Sequence, residues 1–300
     1  MLDACRWACY LQVMVVRAEQ IEPIIENLRQ AAEANRQTPC RRGNLICLDA
    51  ENSLDVLVSA DLHGNRVNFE GLLGVADLGG CPQRHLIMQE VCHGGPTYPM
   101  GNACMSHLLL EDIAALKNSF PERFHFILSN HELAELTDFP IMKANRMLNL
   151  VFRNGLKELY GTAAELVRGA YLEFLRTCPV GVRLESGIFI SHSAPDNVDR
   201  DGFDTAIFDR PLVESDFEPH SSLFRLVWGR DFRRENAAAF AELVNAKVLI
   251  HGHEPCPDGF RVPNDCQVIL DSCGDRGCYV IVPTIEPLTQ QQVVERIQYI

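Results

Sequence analysis

DVLVSADLHGN, residues 55–65, is a short β-prone run that stops at Asp61, His63 and Gly64. An extended backbone has a side-chain period of two, so Asp61 and His63 fall on one side. A carboxylate and an imidazole converging there suit a borderline divalent cation. Alone, the pattern is more often that of an aspartate capping the next helix beside an idle histidine, since a bare D-x-H arises often by chance. It recurs, however: HLIMQ (85–89) ends in Glu90, FHFIL (124–128) in Ser129-Asn130-His131-Glu132, GIFIS in His192, and KVLI in His251-Gly252-His253. One histidine at a strand end is ordinarily a packed or solvated residue. Five ligand-competent strand ends in succession point to a metal site.

Outward from these ends, strand and helix signals alternate. RAEQIEPIIENLRQAAEAN (17–35) spaces Ile21, Ile24, Ile25, Leu28 and Ala32 as an amphipathic helix, closed by Pro39 and Gly43. LICLD (45–49), DVLVSA (55–60), HLIMQ and FHFIL read as buried strands, with a crossover helix over 107–120. A helix over 163–177 leads to strands at 182–192, 247–251, 267–271 and 278–283. Such alternation predicts an α/β architecture with strands covered by helices and ligand sites at strand ends. With no repeat or linker, one main domain is expected.

The chain has 300 residues, 47% hydrophobic, and 27 Lys+Arg against 40 Asp+Glu, a formal charge of −13. That balance opposes nucleic acid and anionic membrane partners, which are held by cations on phosphate. The twelve cysteines include no C-x-x-C pair, and the first twenty residues lack the layout of a secretory signal. No apolar run reaches 18 residues. The expectation is a cytoplasmic protein with free thiols.

In order and spacing, Asp61-Leu62-His63, Glu90-Val91-Cys92-His93-Gly94-Gly95, Asn130-His131-Glu132, His192 and Gly252-His253 resemble the signature of the calcineurin-like metallophosphoesterases. The likeness is to the phosphoprotein phosphatase branch and its bacterial diadenosine tetraphosphatase relatives. It implies a four-layer αββα fold, a β-sandwich flanked by helices, over 45–286, with a helical extension at 1–44 and a tail at 287–300. It further implies two divalent metal ions, manganese first, with iron or zinc as alternatives. One would be held by Asp61, His63 and Glu90, the other by Glu90, Asn130, His192 and His253, with Glu90 bridging. A bridging carboxylate spaces two cations for clamping one phosphoryl group. His131 would protonate the leaving oxygen, a task suited to an imidazole with an ordinary pKa of about 6.5. Arg230, following Trp228-Gly229, is the first choice for holding phosphate, with Arg233 and Arg234 as alternatives.

Three departures stand out. Glu90 replaces the bridging aspartate, His93-Gly94-Gly95 replaces Asp-Arg-Gly, and Ser129 replaces the glycine before Asn130. The second removes the carboxylate that orients the catalytic histidine and one phosphate-clamping arginine. His93 replaces that carboxylate, contacts substrate or is simply a loop histidine, and the segment 93–102 is expected to shape a substrate pocket. The activity implied is hydrolysis of phosphate monoesters, in a phosphorylated protein or a small ester, by hydroxide generated between the metals. The alternatives are hydrolysis of a dinucleoside polyphosphate such as diadenosine tetraphosphate, and a catalytically impaired module that binds a phosphorylated ligand.

Overall fold

The computed structural model describes residues 18–300 apart from Met100 and Asn102. The reading of the amino-terminal segment, Cys5 and Cys9 included, concerns residues outside that set. In chain order the strands are β1 (Arg41–Arg42), β2 (Leu45–Leu48), β3 (Asp55–Asp61), β4 (Arg84–Gln89), β5 (Phe124–Ile127), β6 (Met142–Lys143), β7 (Arg146–Met147), β8 (Gly181–Leu184), β9 (Ile188–Ser191), β10 (Val248–His251), β11 (Phe260–Arg261), β12 (Gln267–Leu270), β13 (Cys278–Pro283) and β14 (Ile297–Tyr299). They form one sheet ordered β1-β2-β8-β9-β10-β12-β11, another ordered β14-β13-β3-β4-β5, and a separate β6–β7 hairpin.

The sheets stack because their strands alternate two kinds of side chain. Val56, Val58, Ile87, Ile127, Ile188, Ile190, Val248, Ile250, Val268, Val280 and Val282 meet in one buried layer contributed by both sheets. The intervening Leu57, Leu86, Met88, Phe124, Phe126, Phe189 and Leu249 belong to a second cluster shared with the helices. β-branched residues thus fill the space between sheets, and larger ones reach the helical layers. Phe126 stacks on Phe174 of the helix Ala164–Leu175, and Phe189 meets Phe240 of the helix Arg234–Leu243 edge to face. The order helix, sheet, sheet, helix is the four-layer arrangement expected from the sequence.

Strand direction positions the chemistry. β3, β4 and β5 run parallel, as do β9, β10 and β12, so within each sheet their carboxyl ends lie at one edge. The segment 182–192, expected as one strand, is two, folded back as an antiparallel pair at Glu185-Ser186-Gly187. Gly187 adopts φ 86°, a conformation open to glycine and costly elsewhere. The carboxyl-terminal segment forms a capped helix, Gln290–Val294, and then β14, which pairs with β13 as the edge of the second sheet. The amino-terminal helix, Ala18–Gln37, buries Ile21, Ile25 and Leu28 in the helical cluster.

Phe174 joins the carboxyl-terminal half of a helix to the second sheet and is fully buried. Phe174→Ala should destabilise the fold by about 3–5 kcal/mol, read as a lower denaturant midpoint with an unchanged slope.

Candidate metal centre

Four polar residues leave their strands through a left-handed backbone: His63 at φ 44°, Glu90 at 47°, His93 at 64° and His253 at 72°. For residues with a Cβ this costs about 1–3 kcal/mol each. Hydrogen bonds hold the turns: the N–H groups of Leu62 and His63 both donate to the Glu90 carbonyl, at 2.8 and 2.9 Å. Ser129, by contrast, is extended at φ −108°, so replacing glycine there costs nothing. It caps the helix Asn130–Thr137, its hydroxyl accepting from the His131 N–H at 3.2 Å.

Glu90 lies at the centre. Oε1 is 3.1 Å from His63 Nε2 and 3.5 Å from His131 Nε2, while Oε2 is 2.7 Å from His192 Nε2. Around His192 Nε2 gather Asn130 Oδ1 at 2.6 Å and His253 Nδ1 at 3.1 Å, themselves 3.1 Å apart. His63, Glu90 and His131 therefore form one potential ligand group, and Glu90, His192 and His253 another. Asp61 joins neither directly. Its Oδ1 accepts the His253 backbone N–H at 2.9 Å and lies 3.9 Å from His192 Nδ1. His251 points elsewhere, toward the Ser191 carbonyl.

These residues fit divalent cations on electrostatic and tautomeric grounds. Burial, and then the charge of Glu90, raises Asp61 well above the carboxylate range; burial likewise pushes Glu90 up to about 7. Two buried carboxylates this close require compensating positive charge. Burial pushes His192 down to about 4 and His253 further below the imidazole range, keeping both in the neutral, ligating form. His192 Nδ1 donates to Gln89 Oε1 at 2.7 Å, and Gln89 Nε2 in turn donates to the Ser59 carbonyl. His63 Nδ1 donates to the Cys92 carbonyl at 3.2 Å. In both rings the Nε2 lone pair is thereby aimed at Glu90, the arrangement by which outer partners orient a metal-binding histidine.

Behind the centre lies a chain of contacts that sequence reasoning left open. His131 Nδ1 is 3.0 Å from His93 Nδ1, and His93 Nε2 donates to Glu135 Oε1 at 2.9 Å. Glu135 is held by Arg153 at 3.3 Å and Arg168 at 3.9 Å. The His93 side chain is fully buried. It thus bridges His131 and Glu135, and with Gly94, Gly95 and Lys143 it borders an open cleft of about 680 Å³. Gly94 has no room for an arginine, since even a Cβ would lie 2.5 Å from the His63 carbonyl oxygen. Sequence reasoning also missed Glu132, whose Oε1 accepts the N–H groups of Val91 and Cys92 and fixes the loop after Glu90. The helix-start position of Glu132 concealed that role.

Of the three arginines considered, Arg233 is paired with Asp199 and Asp231, and Arg234 with Asp265. Arg230 is half exposed, pairs with Glu254 beside His253, and lies near enough to act electrostatically on Glu90 and His192. Gly252 also matters, because a Cβ there would lie 2.3 Å from Asp61 Oδ1. Gly252→Ala should therefore displace Asp61 and weaken divalent-metal affinity by about 10- to 100-fold, measured by calorimetric titration of the chelator-stripped protein.

The chain is 23% identical over 255 residues to a probable serine/threonine-protein phosphatase of Encephalitozoon cuniculi, a match covering 76% of this chain and 50% of that protein. The chain thus spans about half the length of the curated relative it matches. A solved serine/threonine phosphatase from Saccharomyces cerevisiae, described as similar to human phosphatase PP5, shares the fold with a TM-score of 0.68 at 12% identity, covering 92% of this chain and 88% of that one. A cold-active protein-tyrosine phosphatase of a psychrophilic Shewanella gives a TM-score of 0.54 at 12% identity, covering 84% and 80%. No protein-family model matches the chain. The chain is thus similar in sequence to a probable serine/threonine phosphatase and shares the fold of solved protein phosphatases.

Proposed function

We propose that the protein is a metal-dependent phosphoesterase that hydrolyses phosphate monoesters, with phosphoserine or phosphothreonine in a protein as its substrate class. The observation carrying this reading is the division of Glu90, one oxygen toward His63 and the other toward His192. Asp61, His63 and Glu90 would hold one divalent cation, and Glu90, Asn130, His192 and His253 a second. When bound, such cations neutralise phosphate oxygens and make water acidic enough to attack near neutral pH. Mixed nitrogen and oxygen donors admit manganese, iron or zinc.

The remaining work falls to the protein. His131 is the general acid, giving a proton from Nε2 to the leaving oxygen. Because Glu135 can only accept, the His93 proton sits on Nε2, and the His93 Nδ1 lone pair accepts from His131 Nδ1. That contact fixes the His131 ring and leaves Nε2 facing the metal centre beside Glu90, the part played by the missing aspartate. Glu135 compensates the positive charge that accumulates on the histidine pair. Arg230 binds phosphate by exchanging its Glu254 partner for substrate oxygens, and Lys143 at the cleft supplies a second cation where Gly94 leaves no clamp. The acidic surface balance disfavours nucleic-acid substrates.

Chelator-stripped protein should recover p-nitrophenyl phosphate hydrolysis on addition of Mn²⁺, and Asn130→Ala should lose it. Absence of turnover with Mn²⁺, Fe²⁺ and Zn²⁺ would overturn the monoesterase reading. His131→Gln should lower kcat by about 10²- to 10⁴-fold. His93→Ala and Glu135→Gln should each lower kcat by about 10²-fold with KM nearly constant, because neither touches substrate; a change confined to KM would contradict the positioning role.

A further inference from the structure

Cys40, His85 and His125 form a third cluster, remote from the strand-end centre. All three are buried, and their ligating atoms lie within 4.8 Å of one another. His85 and His125 share strand parity with Ile87 and Ile127, so both point into the layer between the sheets, where Cys40 also packs. They lie near the amino ends of β4 and β5, about 16 Å along the strands from Glu90 and Asn130. Around them that layer is filled by Val56, Ile87, Ile127, Val182 and Val282, and a thiol beside two imidazoles stands out from this apolar packing.

From this geometry we infer a second, structural metal site that takes one thiophilic first-row ion, zinc or copper, on Cys40 Sγ, His85 and His125. One thiolate and two imidazoles are a soft donor set that excludes magnesium, calcium and manganese in practice. His85 Nε2 donates to the Asn52 carbonyl at 3.0 Å, which leaves its Nδ1 lone pair facing His125 Nε2 at 2.9 Å. This is the carbonyl-anchored imidazole of a metal ligand. His125 is fully buried and its Nδ1 has no hydrogen-bond partner, so the ring carries capacity that no protein group uses. Burial pushes both rings below the imidazole range, His85 to about 4, which keeps them unprotonated. Burial raises the Cys40 thiol to about 11, opposed by the nearby Lys117 ammonium, which favours the thiolate that a metal would stabilise. Lys117 does not compete as a donor, since its three N–H groups go to Thr38 Oγ1 and the carbonyls of Pro121 and Phe124. The ion would bind Cys40, from the segment after the first helix, to two strands of the second sheet.

The test compares full-length wild type with Cys40→Ser and His125→Phe after dialysis against EDTA, using elemental analysis, and repeats it with protein grown on cobalt. Expected are one chelator-resistant equivalent of zinc or copper in wild type, its loss in both variants, and a sulfur-to-cobalt charge-transfer band that Cys40→Ser abolishes and Asp61→Asn retains. That band separates this site from the strand-end centre, whose donors include no thiolate, so the result stands whether or not the protein hydrolyses phosphate esters. If Cys40→Ser does not fold, His85→Asn is read in its place. Wild type with neither resistant metal nor the cobalt band would overturn the assignment, as would equal metal in a natively folded Cys40→Ser.

Discussion

Two carboxylates taken out of water side by side cannot both stay ionised without a cation, and Asp61 and Glu90 are so placed. Much of the surrounding architecture serves that constraint. Parallel strands bring their carboxyl ends to one edge, left-handed turns lift four polar residues off the strands, and Glu132 and Gln89 hold those turns and rings in place. The cost of such turns is tolerable because the buried layer between the sheets, mostly aliphatic, stabilises the fold independently of them. Stability and chemistry are divided between the middle of the strands and their ends.

Most of this division is legible in the sequence. DVLVSA, HLIMQ, FHFIL and CYVIVP announce buried strands by composition and length, and the polar residue at each strand end marks where the chain meets the site. What hides is what depends on the third dimension. The break at Gly187 lies inside a segment whose apolar residues on both sides suit one strand, and only pairing between β8 and β9 reveals the turn. The carboxyl-terminal strand is short and polar, and its pairing with β13 is not encoded in its own pattern. Asp61 faces His253 through a backbone N–H, and the need for Gly252 follows from that approach, which no motif records.

The His93 position shows the same limit from the other side. Set beside the signature it resembles, the sequence shows that an aspartate and an arginine are absent, and leaves open whether the histidine replaces the carboxylate, meets substrate or merely sits in a loop. The choice is made by Glu135, one turn along the helix from His131, together with Arg153 and Arg168 from two later helices. Spacing places Glu135 and His131 on one face of a helix. Only the packing of the loop after Glu90 brings His93 between them.

That arrangement also bears on how the chain could have diverged. An aspartate restored at position 93 would face Glu135 inside the protein, setting two buried carboxylates against each other, while an arginine restored at position 94 would collide with the backbone of His63. Neither substitution is compatible with its surroundings taken singly, so His93, Gly94 and Glu135 constitute a mutually dependent unit. A substitution at any one of the three positions is therefore tolerated or not according to the other two, while the open cleft beside them is free of that coupling.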